Sequence, residues 1–198
     1  MRGIGRGISV VLVFGIIILF AWTALAQSEG RAVGGLQVAV SLGQDRPEKS
    51  RFLIELRNVA NNDLTLNLGI MPGDGIQYPT ALNLIVTDEQ GKVRRLVVDG
   101  PPLGGRVFPW VLHLASGAKF NIAIDFVDST FSIPIVGVLE NCPLYPIYKL
   151  SPGTYSIQAL LIGIREIRGL LLDIPGISTP YWEGTATSNQ LRFEVRGQ

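Results

Sequence analysis

The chain has 198 residues, with 17 Lys and Arg against 16 Asp and Glu and a charged fraction of 17%, below the roughly 25% usual for soluble domains. A balance this close to neutral excludes the basic footprint of a nucleic-acid binder. One Cys and one His exclude a disulfide framework, a Cys/His zinc site and any ligand set that needs two histidines.

Arg2 and Arg6 precede an uncharged apolar stretch from Ile8 to Ala26 that closes on Ala24-Leu25-Ala26. Small residues two apart are what a signal peptidase accepts in its narrow subsites, so 1–26 is predicted to be a signal peptide cut before Gln27. The alternative is an uncleaved anchor, since the 19 residues of that stretch just span a hydrocarbon core of about 30 Å. No Cys follows the cut to carry a lipid. The remaining 172 residues, 27–198, hold 15 basic and 16 acidic side chains and suit a single domain. A domain of that length buries about 70% of its unfolded surface and needs no metal, disulfide or cofactor to hold it together. The expected location is secreted or periplasmic, with no membrane contact after cleavage.

Beyond the leader the hydrophobic pattern has a period of two. Leu36, Val38, Val40 and Leu42 alternate with small or polar residues; so do Phe52, Ile54 and Leu56, then Leu64, Leu66, Leu68 and Ile70, then Leu82, Leu84 and Val86. Such rows place one apolar face on a pleated strand. Asn61-Asn62-Asp63 and Asp88-Glu89-Gln90-Gly91-Lys92 supply turns between them, because Asn, Asp and Gly tolerate positive φ and bond their own backbone. Further strands are predicted at Val93–Val98, Val107–Leu114, Phe120–Val127, Thr154–Ile162 and Leu191–Val195, with a turn at Ser116-Gly117. The one helical candidate is Ile164–Leu172, weakened by Gly169 within it. Short alternating strands separated by Gly and Pro predict an all-β fold, an antiparallel sandwich.

Leu150-Ser151-Pro152-Gly153-Thr154-Tyr155 resembles the L-x-P-G-T-Y entry to a late strand of immunoglobulin-like and fibronectin-like domains. There the Tyr hydroxyl bonds back to the backbone at the corner. The closing Trp182-x-Gly184-x-x-x-Ser188-Asn189-x-x-x-Phe193-x-Val195 is similar to the last strands of secreted bacterial Ig-like proteins. From Phe52 to Leu161 the order of features also resembles the intracellular proteinase inhibitor family: an apolar strand ending in Asn58, a Thr-Asp-x-x-Gly-Lys hairpin at Thr87 to Lys92, a Leu-x-x-Gly turn at Leu114 to Gly117, then the Tyr155 motif. The resemblance implies an immunoglobulin-like β-sandwich. The leader departs from an intracellular inhibitor, and no reactive loop is identified to carry over.

Residues with chemistry are few. His113 lies between Leu112 and Leu114, so on a strand its ring faces away from the core; no nucleophile elbow accompanies it. Cys142 reads as a small buried apolar residue, the alternatives being a reactive thiol or an intermolecular bridge. Asp125 and Asp128, like Asp88-Glu89, lack the acidic-loop spacing of a calcium site and read as solvated turn charges. Gly73-Asp74-Gly75 and Gly104-Gly105 do not sit between a strand and a helix, as a phosphate loop requires, and Arg94-Arg95 and Arg165-Arg168 are too few for nucleic acid. No catalytic or metal residue is expected.

If successive strands reverse, the turns at Asn61–Asp63, Asp88–Lys92 and Ala115–Ala118 share one end. The long connections 43–50, 71–81, 99–106 and 128–149 then share the other. Ends that gather long loops are where sandwiches bind. The 128–149 segment exceeds the roughly 12 to 15 residues of a passive loop and carries Phe131, Tyr145 and Tyr148, aromatics that lose little entropy on ordering. These three are the expected contact residues, for a protein or glycan; the alternative is an extra strand at Ile133–Leu139 with the tyrosines covering the core. Trp110 and Trp182 are expected to be packing anchors. The sequence points to a non-enzymatic exported binding or interaction module, the alternative being a secreted protease inhibitor of the same fold.

Overall fold

The computed structural model describes residues 29–46, 49–73, 75–98, 106–134, 141–163 and 181–197; the expected signal peptide at 1–26 and the helical candidate at 164–172 lie outside them. Twelve strands follow in chain order: β1 (Leu36–Arg46), β2 (Lys49–Asn58), β3 (Leu64–Pro72), β4 (Leu82–Asp88), β5 (Val93–Val98), β6 (Val107–Leu114), β7 (Lys119–Val127), β8 (Thr130–Pro134), β9 (Asn141–Tyr145), β10 (Gly153–Ile162), β11 (Thr185–Thr187) and β12 (Leu191–Val195). Every strand pair is antiparallel. The fold is an all-β sandwich, as the two-residue period predicts.

One layer is β1-β2-β7-β8, the other β5-β4-β10 with β11 and β12 both along β10. Their inner faces are the alternating rows: Leu36, Val38, Phe52, Ile54, Leu56, Ile124, Leu84, Val86, Ile157, Ala159 and Leu161 are all 2% exposed or less. The layers are joined along one side by β9, which pairs with β8 through Ile133↔Cys142 and with β5 through Val97↔Tyr145 and Val98↔Leu144. On the other side Asn189 reaches from the β11–β12 connection to β1. Its Oδ1 accepts from Val40 N at 2.8 Å and its Nδ2 donates to Val40 O at 3.0 Å. The amide thus serves β1's outer edge as a strand would, and Ser188 Oγ accepts from Ala159 N on β10.

The ribbon β3–β6 stands outside both layers. Its bonds run to the ends of other strands. Asn58 Nδ2 donates to Leu114 O at 2.9 Å, Thr65 O accepts from Trp182 N, and Leu68 O accepts from Ala81 N. The ribbon therefore closes one end of the sandwich, which buries β3 on both faces from Leu64 to Ile70. Gly69 allows this at a bulge, with φ of 151°, where a Cβ would run into the carbonyl of Tyr78.

That ribbon breaks the strict up-and-down alternation assumed from the sequence. Ser116 bonds Asp63 and Ala60, so the Asn61–Asp63 and Ala115–Ala118 turns do share the closed end. The Asp88–Lys92 hairpin does not. Glu89 accepts from Thr154 N at the start of β10, and nearby Leu150 N donates to Ser129 O beside the β7–β8 turn. The hairpin therefore belongs to the opposite, open end. Two of the expected long connections also shrink. β1 and β2 pair out to Arg46↔Lys49, and the described part of 128–149 holds a tight turn and two strands, β8 and β9: Val127 pairs with Thr130 across Asp128 and Ser129, both at positive φ (49° and 64°), the geometry of a two-residue primed turn.

Asn189→Ala would strand the N–H and C=O of Val40, a residue 2% exposed. We expect a loss of about 2–3 kcal/mol, read as a fall of roughly 5–10 °C in Tm for a chain of this length.

Candidate binding site

Of the three expected contact residues, Phe131 is placed elsewhere. It lies on β8 at 3% exposure in an aromatic cluster, its ring centroid 4.7 Å from Phe126, 5.8 Å from Phe52 and 6.0 Å from Phe193. The reason is the tight Asp128–Ser129 turn, which starts β8 at once and directs alternate residues Phe131 and Ile133 inward. Tyr145 and Tyr148 are exposed, at 42% and 47%, and Tyr145 is the last residue of β9.

After Tyr145 the chain leaves β5. Pro146 has no N–H to continue a ladder, and the segment 146–149 runs beside β5 without pairing to it. Between them lies a gap of about 380 Å³ lined by Lys92, Val93, Arg94, Arg95, Pro146, Tyr148 and Lys149. Strand alternation fixes what β5 presents there. Asp88 N donates to Lys92 O, so Arg94 and Leu96 face β4 with their main-chain groups while Val93, Arg95 and Val97 face away. Val97 is met by Tyr145; Val93 and Arg95 have no main-chain partner on that side among the described residues.

The charge in the gap is positive. Lys92, Arg95 and Lys149 are exposed, and Arg95 Nε donates to Asn83 Oδ1 at 3.0 Å. Arg94 is balanced by Asp88, Nη1 to Oδ2 3.2 Å. The Asp88 carboxylate is held below its ordinary range chiefly by the Lys92 N–H, 2.8 Å from Oδ1, with Arg94 and the Gln90 N–H adding and partial desolvation opposing. The carboxylate thus organises the turn that carries Lys92 and neutralises one of the four basic groups lining the gap.

The other chemistry-bearing residues are dispersed. His113 is exposed on β6 and Nδ1 lies 3.2 Å from Thr65 Oγ1; Cys142 is half-buried on β9, in a different sheet. Asp125 is fully buried and takes Arg51 at 2.8 Å and 3.4 Å. A larger recess of about 510 Å³ opens where β8 departs from β7, between Gln77, Trp110, Phe120, Asn121 and Pro134, but its one charged member is that same Arg51. Trp182 is 7% exposed and donates Nε1–H to Val33 O at 3.1 Å, a packing anchor as expected. The Tyr155 hydroxyl donates to Ser151 O at 2.9 Å, the corner bond that its motif implies. No group of three or more metal-ligating side chains occurs among the described residues.

Sequence reasoning missed Lys92, Val93, Arg95, Ile147 and Lys149. The signal that finds them is Pro146 directly after a strand, beside a hairpin whose second arm opens on Lys-Val-Arg-Arg.

No family model matches the chain, and no curated protein matches it. Among solved structures it is similar to β-glucuronidase 2 of Bacteroides uniformis, covalently bound to cyclophellitol-6-carboxylate aziridine, at 13% identity and a TM-score of 0.27, over 80% of this chain and 12% of that one. The chain spans about an eighth of that protein's length. At that score the likeness carries no argument about activity.

Because Asp88 titrates below its ordinary value in the folded chain, its contribution to stability is complete above the unfolded carboxylate pKa of about 3.9 and is lost as pH falls through the folded value. We expect Asp88→Asn, which keeps an acceptor but no charge, to flatten the acid limb of a Tm-against-pH curve relative to wild type while leaving its shape above pH 5 unchanged.

Proposed function

We propose that this chain is an exported, non-enzymatic binding module of immunoglobulin-like type whose contact face is the β5–β9 edge at the open end of the sandwich. One observation carries the reading. Seven large apolar side chains among the described residues are exposed, and four of them, Val93, Tyr145, Ile147 and Tyr148, gather at this edge. Apolar side chains scattered singly over a surface need no explanation, whereas a cluster rimmed by polar groups marks a contact site. Here the rim is Lys92, Arg95 and Lys149.

The Tyr155 corner bond and the two-layer antiparallel architecture support the immunoglobulin-like part of this reading, and the Arg2-Arg6 leader ending in Ala24-Leu25-Ala26 supports export. The site offers main-chain groups and Arg95 on β5, a phenol at the end of β9, and Lys92, Tyr148 and Lys149 on the adjoining turn and segment, an arrangement suited to holding a ligand.

Replacing Tyr145 and Tyr148 together by Ala tests the contact face. Both are more than two-fifths exposed, so Tm should stay within about 2 °C of wild type. Capture of partners from an envelope extract by the immobilised chain should fall at least about tenfold, as expected for two aromatic anchors. A large fall in Tm would make the pair structural, and unchanged capture would move the contact face elsewhere.

A further inference from the structure

The gap beside β5 has three features that belong together: an unpaired length of strand edge, a surplus of positive charge, and exposed apolar side chains at Val93 and Tyr148. We infer that it takes an extended acidic peptide segment, which adds as a strand to β5 opposite Val93–Arg95; this inference rests on the binding-face reading above.

The edge argument comes first. Val93 and Arg95 each direct one N–H and one C=O into the gap, and an extended segment lying antiparallel or parallel to β5 meets those four groups at the two-residue repeat of a strand. Strand addition gives affinity through main-chain bonds and specificity through alternate side chains. A sugar has no such repeat with which to match the edge. Val97, the next outward residue, is already paired by Tyr145, so the added segment abuts the end of β9 and continues its line along β5. Pro146 turns the resident chain aside and leaves the place open.

Charge then selects the segment. Along β5 the side chains of Val93, Arg95 and Val97 share the outer face of the sheet, and Lys92 and Lys149 flank the gap on its two sides. Glu or Asp at every second position of an added strand puts its carboxylates on one face, where Arg95 is the cross-strand neighbour; opposite-charge pairs across a ladder are favourable. On that same outer face the methyls of Val93 and the ring of Tyr145, which is paired with Val97, offer apolar contact to the methylenes of the acidic side chains. Basic side chains also guard bare strand edges against self-pairing. That role predicts the same residues with no ligand, and the experiment separates the two.

The probe is a seven-residue peptide alternating Glu with Thr, acetylated and amidated, titrated against the full chain by calorimetry or fluorescence anisotropy at low and at physiological salt. Three comparison ligands accompany it: the same peptide with Lys for Glu, the same peptide N-methylated at alternate backbone positions, and polygalacturonate as an acidic glycan. We expect the Glu peptide to bind and to weaken with salt, the Lys peptide not to bind, and N-methylation to weaken binding at least tenfold. Lys92→Gln and Lys149→Gln, both at exposed positions, should each weaken it about three- to tenfold. Asp88→Asn removes the one carboxylate that neutralises a lining Arg, so it should tighten binding about two- to fivefold while its circular dichroism stays that of the wild type. Absence of binding by the Glu peptide, or equal binding of its N-methylated form, overturns strand addition. If polygalacturonate binds in a way that needs Tyr145, Tyr148 and Lys149 while the peptide does not, the peptide inference fails and the binding face stands. If no ligand binds and the Tyr145/Tyr148 variant captures as wild type does, both fail.

Discussion

Main-chain groups at the edges of the two layers must find partners, and the way they do so governs the rest of the molecule. A sandwich has two seams. Along one, β9 hydrogen-bonds to β8 and to β5 and so belongs to both layers; along the other, the side chain of Asn189 bonds both main-chain groups of Val40. With the β3–β6 ribbon across one end, both seams are bridged within the chain, which limits the bare edge open to self-association.

The candidate site is one place among the described residues where that closure stops short. β9 covers β5 only at Val97 and Val98, and the chain then turns away at Pro146. What remains uncovered is two residues' worth of strand edge, too little to template a fibril and enough to hold a short segment. The surrounding side chains are not neutral filler: Lys92 sits on a hairpin organised by Asp88, Lys149 stands on the opposite side, and Tyr148 lines the gap between. The bridge between the layers and the candidate site therefore both depend on β9, the first on what it pairs with and the second on where it ends.

Much of the fold was legible because it depends on local alternation. The rows at Phe52–Leu56, Leu82–Val86 and Thr154–Ile162 become β2, β4 and β10 with their apolar members inside, and the turns at Asn61–Asp63 and Asp88–Lys92 occur where their Asn, Asp and Gly residues put them. The site was legible only in part. Tyr145 and Tyr148 are exposed beside the gap, whereas Phe131 is core, since nothing in the sequence says that Asp128 and Ser129 both take positive φ and start a new strand at once. The position of Asp88–Lys92 relative to the other turns depends on β3–β6 leaving the two main layers. That depends on long-range pairings such as Leu68 with Ala81 and Thr65 with Trp182, which no periodicity encodes. The basic character of the gap is likewise a tertiary fact, because Lys92 and Lys149 lie 57 positions apart in the chain.

Amide hydrogen exchange along β5, followed residue by residue by NMR, tests the open edge most directly. The pairing pattern predicts slow exchange at Arg94 and Leu96, bonded toward β4, and at Val97, bonded toward Tyr145. It predicts fast exchange at Val93 and Arg95 in the free chain, slowed when an acidic strand is bound. Protection of Val93 and Arg95 equal to that of their neighbours in the free chain would mean that the edge is already paired, and would contradict the account.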